Sequence, residues 1–244
     1  MEGKGGHPTT GPRLHVEDAL RDGTPVALDQ KRTHYLAHVL RLKPGASLRL
    51  FNARDGEWAA RLDRIGRQDC LAVPATLLRE PAPELGPVLV LAPIRRNRLD
   101  WVIEKATELG VSRIVSVMTR YTQVRIDKAE HLRAIAVEAA EQCERLSVPA
   151  IEAPQPLGTW LGNRDPARPL YLCDEAGGPL LANRFDVDGD LLIGPEGGWA
   201  EEERALLTGY AGAVRVGLGP RILRAETAAL VALTMAMVGA ARRA

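Results

Sequence analysis

The chain after residue 87 alternates short apolar runs with segments of helical spacing, and this alternation limits the possible folds more than any other feature. Five runs read as strands, at residues 88–94, 113–118, 170–173, 190–193 and 213–216. Helical spacing covers residues 98–109, 127–145 and 200–208, and a long final helix begins near Ala225. Continuous apolar runs are typical of strands buried on both faces, and strands that alternate with helices pair in parallel. The pattern predicts an α/β domain with a parallel sheet.

The first third of the chain has a different pattern, which predicts a small, mainly β domain. Strands are predicted at residues 13–17, 47–52, 57–65 and 70–78, and helical spacing covers residues 30–42. A polar stretch with three prolines follows, as in a linker. We therefore predict a flexible leader at residues 1–12, a β domain at 13–79, a linker at 80–87 and the α/β domain at 88–244.

Composition is that of an ordinary globular protein, with 45% hydrophobic and 26% charged residues. No secretory signal is visible, and the longest apolar stretch, residues 228–241, is shorter than the roughly 20 residues of a membrane-spanning helix. The three cysteines, Cys70, Cys143 and Cys173, lie far apart and indicate neither a disulfide framework nor a zinc site. We expect a cytoplasmic protein with no membrane partner and no metal.

Net charge is only +1, but its distribution is uneven. Residues 30–54 contain six basic side chains and no acidic one, and such a surface can neutralise phosphates. A merely solvated face explains the same charges. If the stretch binds RNA, the candidate contacts are Lys31, Arg32, His34, His38, Arg41 and Lys43. The i, i+4 spacing of His34 and His38 lacks a nearby third metal ligand, so RNA contact or plain helix surface is the better interpretation.

Two glycine-rich loops follow predicted strands near the C-terminus. The first, IGPEGG at residues 193–198, precedes a helix with an acidic first turn, and the second, VGLGPRIL at residues 216–223, precedes the final helix. Glycines let the backbone approach a ligand closely, and helix N-termini present free N–H groups. Neither loop has the spacing of a P-loop or of the dinucleotide fingerprint. Two such loops at neighbouring strand ends suit a nucleotide-like cofactor, although a tight turn explains each loop alone.

The final helix is apolar nearly all round. Leu230, Leu233, Met237 and Val238 cannot all face a single core. A helix of this kind must be buried on most faces, so we expect a homodimer in which a second subunit covers the remainder.

Four C-terminal segments resemble the ribosomal RNA small-subunit methyltransferase E family of the SPOUT superfamily. They are RLDWVIEKATELGV (98–111), EAAEQCERLSVP (138–149), IGPEGGWAEEE (193–203) and LGPRILRAETAA (218–229). HYLAHVLRLKPGASLRLFN (34–52) resembles the family's PUA-like RNA-binding domain. The resemblance covers the chain after residue 12.

The resemblance implies a deep trefoil knot in the C-terminal domain, a small N-terminal PUA-like β-barrel and a cofactor site at a dimer interface. It also implies S-adenosyl-L-methionine (SAM) as the methyl donor and N3 of a uridine in 16S ribosomal RNA of the small subunit as the acceptor. The cofactor residues it implies are Leu172, Asp174, Glu175, Ile193, Gly194, Pro195, Glu196, Gly197, Gly198, Val216, Leu218, Gly219, Ile222 and Leu223.

Methylation of uridine N3 requires that its proton leave, with help from a general base or from cations that stabilise the anion. Arg224 and Glu226 are candidates for the cation and the base, although both residues could instead brace the cofactor loops. Two other functions remain open. One is a different SPOUT activity, such as ribose methylation of transfer RNA, and the other is a non-enzymatic RNA-binding or ribosome-assembly module.

Overall fold

The structure is a computed structural model that describes residues 11–66, 69–82, 84–122, 129–175, 177–185 and 189–241. The chain forms two compact units. The first comprises Met1–Pro83 together with Ala140–Ser147, and the second comprises Glu84–Ala139 and Val148–Ala244.

The first unit is built on a five-stranded sheet, which agrees with the predicted β domain. Its elements are β1 (Arg13–His15), β2 (Val26–Leu28), α1 (Gln30–His34), β3 (Ser47–Asn52), β4 (Gly56–Ile65) and β5 (Cys70–Arg79). The strand order is β1-β3-β4-β5-β2, and only the β1–β3 pair is parallel. Register shifts between β4 and β5 mark bulges, which bend strands and increase their twist. The sheet therefore curls around a core that includes Leu48, Leu50 and Leu62.

The helical spacing of residues 30–42 corresponds to α1 followed by one π-helical stretch, Tyr35–Val39. Asp29 caps α1, because its carboxylate accepts a hydrogen bond from the Arg32 backbone N–H at 2.8 Å. The chain leaves the helix at Arg41, which has a φ of 54°. The prediction of a helix is confirmed up to Val39. The change from α-helix to π-helix after His34 could not be predicted from the spacing of the apolar residues.

A segment distant in sequence completes the first unit. Arg13 donates hydrogen bonds to the carbonyl oxygens of Ala140 and Arg145, both at 2.8 Å. The same guanidinium lies 3.2 Å from the buried Glu57 carboxylate and 3.4 Å from the centre of the Phe51 ring. Burial lowers the pKa of Arg13, and Glu57 opposes that effect. A buried, paired cation thus fixes Ala140–Ser147 within this unit.

The second unit contains a seven-stranded sheet in which every pairing is parallel. Its strands are β6 (Val88–Leu91), β7 (Arg113–Met118), β8 (Ala150–Ile151), β9 (Gln155–Pro156), β10 (Leu170–Cys173), β11 (Asp190–Ile193) and β12 (Ala213–Val216). The order is β12-β10-β11-β6-β7-β8, and β9 also pairs with β7. The sequence prediction of an α/β fold with a parallel sheet is confirmed.

Helices cover both faces of this sheet. They are α2 (Arg96–Glu108), α3 (Ala129–Gln142), α4 (Leu157–Asn163), α5 (Glu201–Gly209) and α6 (Ala225–Ala241). Leu89 and Leu91 point to one core with residues of α2, α3 and α6, whereas Val88 and Val90 point to the other with residues of α4 and α5. Helix α3 was predicted from residue 127, and residues 127 and 128 lie outside the described part of the chain.

Helix α6 divides its apolar side chains between the core and the surface. Leu233 is fully buried beside Ala229, Ala232 and Ala236. Met237 and Val238 are 44% and 42% exposed. The sequence indicates that Leu230, Leu233, Met237 and Val238 cannot all face one core, and the structure agrees. Leu233, however, belongs to the interior of this unit. No helix in the described ranges is long and apolar enough to cross a membrane.

Candidate functional site

A cavity of about 490 Å³ lies at the carboxyl ends of three neighbouring strands of the parallel sheet. Asp174 and Glu175 line it from the loop after β10, residues 194–196, 198 and 199 from the loop after β11, and residues 218, 219 and 221–224 from the loop after β12. Arg95 and Arg98 add the start of α2. Ligands of open parallel sheets bind outside the carboxyl ends of the strands. This first cavity is therefore the principal candidate site in the described part of the chain.

Glycines shape the first cavity where the backbone comes close to other groups. A Cβ atom at Gly194 would lie 2.9 Å from the Trp199 ring, so only glycine fits without moving the indole. Gly198 has a φ of 72° and donates its backbone N–H to the Pro195 carbonyl oxygen at 2.9 Å. The loop after β11 is thus a tight turn with a fixed path.

Asp174 introduces a buried carboxylate at the wall of the first cavity. Its Oδ2 lies 3.3 Å from Nε of Arg215 and 3.5 Å from Nη1 of Arg204. Its side chain is only 2% exposed, and burial of a carboxylate is costly unless cationic partners compensate it. The two arginines lie on β12 and α5, so this contact ties the loop after β10 to both elements.

Arg98 connects two further parts of the wall. Its Nη1 donates to the Glu196 carboxylate in the loop after β11 and lies 3.4 Å from Oε1 of Glu226 at the start of α6. The other oxygen of Glu226, Oε2, is buried and has no hydrogen-bond partner among the described residues. Arg98 is the cation that compensates this half-satisfied carboxylate.

The Cys173 thiol also lines the first cavity. Burial raises its pKa to about 12, because the thiolate would be desolvated. The thiol therefore stays protonated at neutral pH and contributes a small apolar surface rather than a nucleophile.

A second cavity of about 390 Å³ lies along the same edge of the sheet. Residues 93–95 after β6, Tyr121 after β7 and residues 195–197 after β11 line it. It shares Arg95, Pro195 and Glu196 with the first cavity. The two cavities are neighbours with a common wall.

Comparison with known proteins identifies the family. The RNA methyltransferase domain family matches residues 83–237, and the RNA methyltransferase PUA domain family matches residues 28–74. The ribosomal RNA small subunit methyltransferase E of Rickettsia conorii is 32% identical over 227 residues, which cover 91% of this chain and 93% of that protein. The chain belongs to this methyltransferase E family.

Solved structures agree with the family assignment. The methyltransferase E of Neisseria gonorrhoeae, solved bound to S-adenosyl methionine, is 28% identical with a TM-score of 0.80, covering 91% of this chain and 95% of that chain. A Legionella pneumophila protein solved with the cofactor SAM is 28% identical with a TM-score of 0.84, covering 95% and 98%.

Most of the cofactor residues predicted for this methyltransferase lie together at the first cavity. They are Asp174, Glu175, Ile193, Gly194, Pro195, Glu196, Gly198, Leu218, Gly219, Ile222 and Leu223. Three do not line it: Leu172 and Val216 are buried in the cores, and Gly197 lines the second cavity. Of the two catalytic candidates, Arg224 is exposed and lines the first cavity, whereas Glu226 lies behind it, paired with Arg98.

Several residues at the cavities of this methyltransferase escaped the sequence prediction. Arg95, Arg204 and Arg221 line the first cavity, and Tyr121 lines the second. Arg95, Arg204 and Tyr121 stand outside the glycine loops, so no local pattern indicated them. Arg221 lies within the second loop, but it was not among the residues that the family resemblance implied. Arg98 is the first residue of RLDWVIEKATELGV (98–111), one of the segments that resemble the family. Its place in that segment is the one sequence signal that could have indicated a role at the site.

The six RNA-binding candidates lie in the first unit at α1, the π-helical stretch and the loop after it. Lys31, Arg41 and Lys43 are exposed and have no ion pair within the described part. The rings of His34 and His38 lie 4.9 Å apart between centroids. Arg32 differs, because it pairs with Asp29 at 2.6 Å and donates to the His15 carbonyl oxygen at 2.6 Å. No cluster of three metal-ligating side chains occurs in the described ranges.

Proposed function

We propose that this chain transfers the methyl group of SAM to N3 of a uridine in 16S ribosomal RNA, in the cytoplasm and as a homodimer. One observation carries the proposal: glycine-bearing loops at the ends of β11 and β12, with the loop after β10, enclose one cavity. Membership in the methyltransferase E family supports the same reaction.

The residues of the first cavity fit SAM. Its volume of about 490 Å³ lies within the range of small-molecule sites, about 300–1,000 Å³. SAM carries a carboxylate, an ammonium group and a sulfonium, and the wall offers both acidic and basic partners, among them Glu175, Arg204 and Arg221. Backbone groups of the two glycine loops can approach it closely. SAM supplies an electrophilic methyl group, and the protein supplies alignment and electrostatics.

For the chemistry at the acceptor we propose Arg224 as the cation that stabilises the deprotonated uracil. Its guanidinium is exposed at the first cavity. Glu226 is already paired with Arg98 and does not line the first cavity, so its carboxylate does not face a bound acceptor there. We therefore assign Glu226 to the support of the wall. Arg224→Gln should lower kcat and move the rise of kcat to higher pH, since a less stabilised anion forms only at higher pH.

RNA affinity is proposed for the first unit, through Lys31, Arg41, Lys43, His34 and His38. Homodimer formation is proposed for the exposed end of α6. Met237 and Val238 present apolar surface there. Full burial of a completely exposed side chain of this kind is worth about 1.5–3 kcal/mol, and an interface would bury the 44% and 42% that are still exposed.

Two measurements test the function. Isothermal titration with SAM should show saturable binding, and its absence would favour a non-enzymatic RNA-binding module. Mass spectrometry of ribosomal RNA from a deletion strain, with and without the restored gene, should show loss and return of one N3-methyluridine in 16S RNA. A 2′-O-methyl nucleoside, or a modification in transfer RNA, would overturn the assignment.

A further inference from the structure

The second cavity lies beside the cavity proposed for SAM, and the acceptor of a methyl transfer must lie beside the donor. The sheet order β12-β10-β11-β6-β7 places the strand ends of both cavities in one row. The first cavity uses the loops after β12, β10 and β11, and the second uses the loops after β11, β6 and β7. Arg95, Pro195 and Glu196 belong to both walls. A group bound in one cavity is therefore adjacent to a group bound in the other.

Tyr121 presents an aromatic ring at the second cavity from a turn with a fixed conformation. The ring is 50% exposed. Thr119 and Thr122 hold the turn, because the Thr119 N–H donates to the Thr122 hydroxyl at 2.9 Å and the Thr122 N–H donates to the Thr119 carbonyl oxygen at 3.1 Å. Glu203 of α5 accepts the Arg120 backbone N–H at 2.8 Å. The exposed ring thus needs little ordering before it binds a partner.

The wall of the second cavity also offers hydrogen-bond donors. Arg95 is exposed at the shared wall, and a guanidinium carries only donors. Uracil presents carbonyl oxygens on both sides of N3, and both are acceptors. Its flat ring stacks on tyrosine as unpaired bases do on aromatic side chains. Gly197 keeps the space beside Tyr121 open, because a Cβ at 197 would lie 3.2 Å from the Tyr121 Cβ.

We propose that the second cavity binds the uracil ring of the acceptor nucleotide, with Tyr121 stacked on the base and Arg95 donating to a carbonyl oxygen beside N3. This inference rests on the proposed function and adds the acceptor site to it. An unpaired nucleotide turned out of the RNA would enter the cavity, as in other enzymes that act on bases.

The methyl transfer from SAM to N3 would take place at the wall that the two cavities share. The N3–H bond breaks, the proton passes to water and N3 keeps the electron pair. That pair forms the bond to the methyl carbon while the carbon–sulfur bond breaks and sulfur keeps its electrons. Water is the proton acceptor because Glu196, the carboxylate at the wall, is held by Arg98.

Kinetics with 16S RNA test the stacking contact. Tyr121→Ala should raise KM for RNA about tenfold, equal to about 1.4 kcal/mol, while Tyr121→Phe should keep a KM near wild type. Arg95→Gln should also raise KM for RNA. SAM affinity by titration should not change in the Tyr121 variants. Trp101→Ala is the matched control, because Trp101 is 44% exposed and lines neither cavity.

A crosslink gives a readout that does not depend on turnover. RNA with 4-thiouridine at the modified position is irradiated with the protein in the absence of SAM, and tryptic peptides are analysed by mass spectrometry. The crosslink should lie in residues 121–125, which trypsin releases as one peptide. Crosslinks confined to other peptides, or an unchanged KM in Tyr121→Ala, would overturn the acceptor site while leaving methylation intact. A wild-type protein that neither binds SAM nor methylates 16S RNA would overturn the proposed function, and the acceptor site with it.

Discussion

Nη1 of Arg98 lies 3.4 Å from Oε1 of Glu226, so the first turn of α2 is tied to the first turn of α6 beside the glycine loops. Arg98→Ala would leave the half-satisfied Glu226 carboxylate without its cation and release Glu196. We expect SAM affinity to fall about tenfold, or about 1.4 kcal/mol, as measured by titration.

A double-mutant cycle with Glu226→Gln separates coupling from simple loss of charge. Residues that share one network couple by about 0.5–3 kcal/mol. Arg113→Ala is the control, because Arg113 forms a surface pair with Glu152 away from the cavities. Additive effects of the Arg98 and Glu226 changes would contradict the proposed link.

Gly194→Ala should weaken SAM binding about tenfold or more, or about 1.4 kcal/mol, because the new Cβ would meet the Trp199 ring at 2.9 Å. Gly209→Ala is the matched control, since nothing lies within 4 Å of a Cβ at that position. Titration calorimetry on both folded variants decides the matter. Equal affinities would show that the glycine loop does not depend on this close approach.

Replacing Lys31, Arg41 and Lys43 with alanine should weaken RNA binding and flatten its salt dependence. Three lost phosphate contacts reduce the slope of log K against log salt by about 2, at about 0.7 per contact for single strands. Arg32 is left unchanged because it holds Asp29 and the His15 carbonyl oxygen.

The control for this prediction removes the same charge from Arg21, Arg61 and Arg64, which lie outside the basic stretch. Binding is measured by fluorescence anisotropy across salt concentrations. Identical slopes in the two triple variants would identify residues 30–54 as a solvated face.

Met237→Glu should yield a monomer that keeps its fold, because Met237 is exposed near the end of α6. Leu233→Ala should instead lower the free energy of unfolding by about 2–5 kcal/mol, because Leu233 is fully buried. Light scattering and urea denaturation measure the two effects. A wild-type monomer at micromolar concentration that is active at full rate would remove the dimer from the proposed function.

Cys173 should resist alkylation near pH 8, because burial raises its pKa to about 12 and only the thiolate reacts. Because the pKa is raised, the rate of alkylation should increase as the pH rises toward 12 and should be negligible near neutrality. The exposed Cys143 should react first. Peptide mass spectrometry after iodoacetamide treatment measures both sites, and saturating SAM should slow Cys173 further. Fast labelling of Cys173 at pH 8 would contradict the raised pKa of this thiol.

Most strands of the parallel sheet in the second unit could be predicted from the spacing of apolar residues in the sequence. The strands at residues 170–173, 190–193 and 213–216 occur as predicted, because each is a short apolar run bounded by turn residues. Helix α4 escaped prediction, since LGTWLGN contains two glycines and buries only Leu157, Trp160 and Leu161. The three-residue strand β2 is too short for any period to show.

Contacts between residues far apart in the sequence could not be predicted from local sequence patterns. Arg13 fixes Ala140–Ser147 in the first unit through contacts between residues more than 120 positions apart, such as its bond to Ala140. Likewise Arg95 and Tyr121 reach the cavities only because β6, β7 and β11 are neighbours in the sheet. The trefoil knot implied by the family resemblance stays a prediction.

Different loops at the carboxyl edge of the parallel sheet line the two cavities, and this separation has a consequence for specificity. The turn at residues 119–122 contributes to the second cavity and none of the lining of the first. Substitutions in that turn can accumulate while the glycine loops remain intact. If the second cavity receives the acceptor base as proposed, a change in this one turn would alter which nucleotide is accepted and leave the cavity proposed for SAM intact.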